Sequence, residues 1–103
     1  MKSIPRRKII RTLSKKGFVL VEKKRHTFLV FVDSQGRQSQ IRTFISRGSS
    51  YKDYTLPLLK AIKDELRLKD LKELEALISC PLSENEYRNL LIERGFLQRS
   101  EDG

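Results

Sequence analysis

The chain is short of cysteine, glycine and proline, has no tryptophan and holds a single histidine, and each shortage removes something. One cysteine, Cys80, forbids an intramolecular disulfide and fits a reducing cytosol. It also leaves too few soft ligands for a zinc site. No long uninterrupted apolar run exists, so no segment is expected to span a membrane. Basic residues near the start are followed by no apolar stretch, so a signal peptide is not expected and the expected location is cytoplasmic. Repeats, low-complexity stretches and long linkers are all missing from the 103 residues, a length that suits one domain with a modest core.

Acidic residues are missing unevenly. Residues 1–52 carry fourteen lysines and arginines against only Glu22 and Asp33, a charge of +12. Residues 53–103 carry eight against eleven acidic residues, a charge of −3, so the net +9 is all in the first half. A solvated surface mixes its signs; this one-sidedness points to a polyanion, nucleic acid ahead of an acidic protein partner. A membrane surface fits less well, because the basic helix lacks a broad apolar face.

Residues 5–16 read as a helix, with Pro5 in the first turn, an Ile9/Ile10/Leu13 stripe and Gly17 as the stop. Arg6, Arg7, Lys8, Arg11, Lys15 and Lys16 cover its remaining surface, and Arg7, Arg11 and Lys15 are candidate phosphate contacts. Strands follow over 18–22, 26–33 and 38–45, with a hairpin at Ser34-Gln35-Gly36-Arg37. Both faces of 26–33 are apolar, which predicts a central strand covered on both sides, or nearly so. Phe18, Phe28, Phe31 and Phe44 fall in these apolar patterns and read as core before base-stacking platforms. Helices are expected from Lys52 or Asp53 (or nearer Thr55, given Pro57) to Leu66, over 69–79, and over 84–94 behind a Ser83/Glu86 capping box. The tail 98–103 reads as frayed.

The order is α-β-β-β-α with an αα appendage. It predicts an α+β sandwich, a three-stranded antiparallel sheet with helices on one face, similar to a double-stranded-RNA-binding domain. Residues 1–67 form the expected core, and 68–103 a helical extension packed on the same domain.

One stretch stands out, Lys24-Arg25-His26-Thr27-Phe28-Leu29-Val30-Phe31-Val32-Asp33, where the sole histidine opens the most strand-like run. Imidazole titrates near pH 6.5 and both takes and gives protons near neutrality. Together with Lys16-Gly17-Phe18, Val19-Leu20-Val21, the hairpin and Ile45-Ser46-Arg47-Gly48-Ser49, this stretch resembles the HicA family, the toxins of HicA–HicB toxin–antitoxin pairs. The likeness covers roughly residues 4–67. It implies a metal-independent mRNA endoribonuclease on a dsRNA-binding-like fold, with His26 catalytic and a HicB-like antitoxin as protein partner. Members of the family commonly carry Gly-Ser before that histidine, where this chain has Lys24-Arg25.

The chemistry needs no metal, because RNA brings its own nucleophile. A neutral imidazole removes the proton of a ribose 2′-OH, which attacks the adjacent phosphorus. Lys24, Arg25, Arg42 and Arg47 are candidates to neutralise the transition state. Arg47-Gly48-Ser49-Ser50 also precedes a helix whose free N–H groups suit a phosphate, although an ordinary capped loop explains it as well. Tyr51 and Tyr54 are candidate stacking residues. Glu73, Glu75, Glu84, Glu86 and Glu93 are scattered among cations and make no metal cluster, so neither metal nor other cofactor is expected. Two other readings remain: a non-catalytic RNA-binding module with His26 as a contact, and a protein-interaction module working through the Leu71/Leu74/Ile78/Leu90/Leu91 stripe.

Overall fold

The first helix begins where the chain leaves a two-residue strand. Ile4–Pro5 (β1) runs into Arg6–Ser14 (α1), and Pro5, with φ −59°, serves as the N-cap. A computed structural model describes residues 3–24, 26–33, 35–45, 53–79 and 81–97. The elements that follow are Phe18–Lys23 (β2), His26–Val32 (β3), Gln38–Ile45 (β4), Asp53–Tyr54 (β5), Leu56–Glu65 (α2), Leu71–Ile78 (α3) and Glu84–Glu93 (α4). The architecture is α+β.

β2, β3 and β4 form an antiparallel sheet with β3 in the middle. Phe18 lies opposite Phe31, Leu20 opposite Leu29 and Lys23 opposite His26; on the other side Phe28 faces Phe44 and Val30 faces Arg42. Lys23 pairs with His26 across a two-residue turn in which Lys24 takes the left-handed conformation at φ 48°. β2 thus reaches one residue further than the sequence pattern suggests. The 33–37 turn closes on Asp33, whose Oδ1 accepts from the N–H groups of Gln35 and Arg37, with Gly36 at φ +82°.

The second helix starts at Leu56, not at Lys52 or Asp53. Asp53 and Tyr54 are extended and pair antiparallel with Pro5 and Ile4, a ribbon that two residues of polar pattern do not announce. Thr55 is the N-cap and Pro57 sits in the first turn, where its missing N–H costs nothing.

Opposite residues share a face of the sheet, so its two sides can be read off the register. Phe18, Leu29, Phe31, Ile41, Thr43 and Ile45 are buried on one side, against Ile9 and Leu13 of α1 and Leu59 and Ile62 of α2. The other side presents Val19, Val21, His26, Phe28, Arg42 and Phe44, and among the described residues no helix covers it. β3 is therefore nearly, but not fully, covered on both sides, with His26 the one exposed residue along it. Val30 is buried at 3 % exposure, but Phe28 is half-buried and Phe44 is 41 % exposed. Apolar residues on both faces identify a central strand; they do not say that a second layer exists.

α3 and α4 extend the same core. Asp70 caps α3 by accepting from Glu73 N, and the capping box of Ser83 and Glu86 forms at the start of α4. Leu74, Leu77, Ile78, Tyr87 and Leu91 are buried in one cluster with Phe18 and Phe31, and Leu71 and Leu90 are partly buried against it. The Tyr87 ring stacks on Phe18 at 5.9 Å and meets Phe31 edge-on at 5.1 Å, while its hydroxyl donates to Leu66 O at 2.8 Å. Burial drives that phenol far above its ordinary pKa. Arg88 lies over Phe31 at 4.8 Å and donates to Val32 O at 3.1 Å, so α4 holds the end of β3. The leucine stripe of the extension is thus spent on this chain's own core.

Candidate nucleic-acid interface

His26 opens β3 directly after the tight turn, on the uncovered side of the sheet, and is exposed. Strand alternation places Phe28 on the same side, and cross-strand pairing brings Phe44 next to both. The His26 ring lies 5.7 Å from Phe44, edge-on, and 6.3 Å from Phe28; Phe28 and Phe44 meet at 5.8 Å, also edge-on. Arg42 holds its guanidinium 5.2 Å above the Phe28 ring. Lys23 is the direct cross-strand partner of His26 and exposed. The imidazole lies against the two phenylalanine rings, and among the described residues it makes no hydrogen bond.

Beside this cluster, where β4 meets the end of α2, runs an open groove of about 720 Å³ lined by Phe28, Gln40, Arg42, Phe44, Asp64 and Arg67 among others. Glu65 also lines it. Its Oε1 accepts from the Thr43 hydroxyl at 2.6 Å and more weakly from Phe44 N at 3.4 Å, which ties α2 to the free edge of β4.

The structure separates the candidate site residues into two groups. His26, Lys24 and Arg42 lie on or beside the open side of the sheet. Arg7, Arg11 and Lys15 lie on α1, each two residues from a buried Ile9 or Leu13, so they face away from the sheet. The sheet stands between them and His26. Arg25 and Arg47 lie outside the described residues, as do the Ser46–Ser50 loop, Tyr51, Cys80 and the 98–103 tail. Tyr54 is described but is only 2 % exposed, which removes it as a stacking candidate.

Lys16 does not belong to the basic surface at all. It is 7 % exposed, and its Nζ donates to Leu77 O at 2.8 Å and also to Leu82 O. The helix pattern reads it as one more solvated cation, because nothing local shows that α3 packs over the end of α1. Conversely, Phe28 and Phe44 belong to the candidate site although their pattern reads as core. Arg42, two residues before Phe44 on the more polar strand, is the one available signal.

Among the described residues no group of three or more His, Cys, Asp or Glu side chains is placed to hold a metal ion. No described helix is long and apolar enough to cross a membrane. Comparison of the chain with family models, with curated proteins and with solved structures returns no match.

Proposed function

We propose that this protein is an RNA-binding, metal-independent mRNA endoribonuclease of the HicA type, with His26 as general base. The observation that carries the reading is His26 itself: the sole imidazole of the chain, exposed at the start of the central strand, beside Lys23 and Lys24. An imidazole open to solvent is free to take the 2′-OH proton of a bound ribose. Attack of that oxygen on the adjacent phosphorus releases the 5′-oxygen of the next nucleotide and leaves a 2′,3′-cyclic phosphate, the imidazolium returning its proton to the leaving oxygen. Lys23, Lys24 and Arg42 supply positive charge for the dianionic transition state. The placing of the β2–β3–β4 sheet between α1 and α2 supports the double-stranded-RNA-binding-like fold in this reading, and the excess charge of the first 52 residues suits a polyanion. In this reading a HicB-like antitoxin masks the histidine face in the cytoplasm until the toxin is released.

A single general base contributes about 10²–10⁴-fold, so the enzyme is a slow one. The same face favours a second reading, a non-catalytic RNA-binding module, because no other acid–base group accompanies His26 among its ring neighbours. Incubation of a mixed-sequence RNA with EDTA separates the two. The nuclease reading expects the wild-type protein to cut and leave cyclic phosphate ends, and His26→Ala to bind without cutting. Equal binding and no cutting by either protein refutes catalysis.

A further inference from the structure

We infer that the open side of the sheet is a stacking platform for unpaired RNA bases, with Phe28 and Phe44 as the rings and Arg42 as the phosphate clamp. The inference deepens the RNA-acting reading of this face and rests on it: it names the substrate class as single-stranded. A singly exposed apolar residue is ordinary in a folded protein, but here two phenylalanines and a histidine lie ring against ring on a face no described helix covers. The protein has buried its other aromatic residues of the sheet, Phe18 and Phe31, at 2 % and 0 % exposure, while Phe44 stays 41 % exposed.

Three features argue for RNA as the occupant. A nucleotide needs a π-face for its base and a cation for its phosphate within one unit's reach: the exposed Phe44 ring offers the face, and Arg42, whose guanidinium lies 5.2 Å over the adjoining Phe28 ring, offers the cation. The face itself carries Lys23, Arg42 and the adjacent Lys24 in the chain half of charge +12, which complements a polyanion and not a basic partner. Gln40, Ser39 and Arg67 line the groove beside the rings; Ser39 Oγ accepts from Ile41 N at 3.1 Å and Arg67 lies over Phe96 at 5.4 Å, so the Gln40 amide is the group assigned to the edge of a base seated on Phe44. Asp64 and Glu65 also line it; the first pairs with Lys63 at 2.8 Å and the second is committed to Thr43 and Phe44 N.

Geometry links the platform to the histidine. His26 and Phe28 are two residues apart on one strand, about 7 Å along the same face. A base stacked on the Phe28/Phe44 pair therefore sets the neighbouring ribose near the imidazole. A duplex cannot use the platform, because its bases already stack on one another and expose only their edges.

The test uses the full-length His26→Ala protein, so that RNA is not consumed, with a short RNA carrying the fluorescent base 2-aminopurine. Stacking on a ring quenches that base. The platform predicts quenching on binding of the single strand and none for the same RNA in a duplex. Phe44→Leu and Phe28→Leu are expected to abolish the quenching and weaken single-strand binding by about 5- to 100-fold. Phe44 is 41 % exposed, so the leucine variant is expected to fold, which circular dichroism with a thermal melt checks. Absence of quenching with the parent protein, or unchanged affinity in both leucine variants, overturns the platform. So does a leucine variant that keeps its RNA affinity but loses self-association or binding of an antitoxin, which would assign the face to protein. Cleavage is scored separately. Quenching without wild-type cutting supports the platform and rejects the nuclease; cutting that the leucine variants leave unchanged in KM rejects the platform and spares the nuclease.

Discussion

The Nζ of Lys16, at the end of the most basic helix of the chain, donates a 2.8 Å hydrogen bond to the carbonyl oxygen of Leu77, at the end of α3. A second bond to Leu82 O makes the ammonium a clasp between α1 and the α3–α4 connection. The carbonyls at a helix end have no partner within the helix, and a buried donor is what satisfies them.

Replacing Lys16 by methionine keeps the apolar stem and removes the donors. A buried carbonyl and a partly buried one then lose this donor, and the expected loss is about 1–3 kcal/mol of stability. Urea denaturation measures it. The salt dependence of RNA binding should stay as it is, because Lys16 reaches no phosphate; a slope reduced by about one would return it to the binding surface.

Gly17 and Gly36 both have positive φ, +94° and +82°, but differ in what surrounds them. A Cβ at Gly17 would lie 2.8 Å from Glu84 Oε2 and 2.9 Å from Phe31, whereas one at Gly36 meets nothing within 4 Å. Gly36→Ala is expected to cost only the backbone term, about 1–2 kcal/mol. Gly17→Ala should cost clearly more, because the Phe31 ring is held in the core by Phe18, Tyr87 and Arg88. Equal melting temperatures for the two variants would contradict this.

Glu73 and Arg94 bridge α3 and α4 through two bonds of 3.0 and 2.6 Å, and Glu73 Oε1 also accepts from Lys69 N at 2.7 Å. The Arg94 hydrogen bonds, chiefly, hold the Glu73 carboxyl below its usual range, and Glu73 in turn raises Arg94. A depressed carboxyl stabilises the fold above its unfolded pKa and loses that contribution as pH falls through its folded value. Glu73→Gln should therefore cost about 1 kcal/mol at neutral pH and little in acid, so that the two stability curves converge once the pH has fallen below the ordinary carboxylate range. Parallel curves would show that the pair contributes nothing.

Arg7 and Arg11 lie across the sheet from His26. With an RNA of only a few nucleotides, too short to reach around the molecule, Arg7→Gln with Arg11→Gln should leave binding to the histidine face unchanged. Arg42→Gln should weaken it, and the salt slope should fall by about one. With a long RNA the α1 pair should also lower the slope. A short RNA that loses affinity only in the α1 variant would move the binding surface to the helices.

The sequence by itself determined the elements, because their causes are local. Gly17 after the first helix, Gly36 in the hairpin, Ser83 with Glu86 and the period-two apolar runs place four helices and three long strands to within a few residues. It determined the excess of positive charge, and it marked His26 as the one imidazole. Tertiary structure decided which apolar residues are core. Phe31 and Phe28 look alike in the pattern, yet one lies beneath α4 and the other on the open side, since strand alternation separates two faces without saying which a helix will cover. Packing likewise decided which cations are surface. Lys15 and Lys16 are neighbours in sequence, but in the turn that leaves α1 one faces solvent and the other lies under the carbonyls of α3. It also decided the short β1–β5 ribbon, in which two residues at each end pair only because the chain returns Asp53 and Tyr54 to the start of α1.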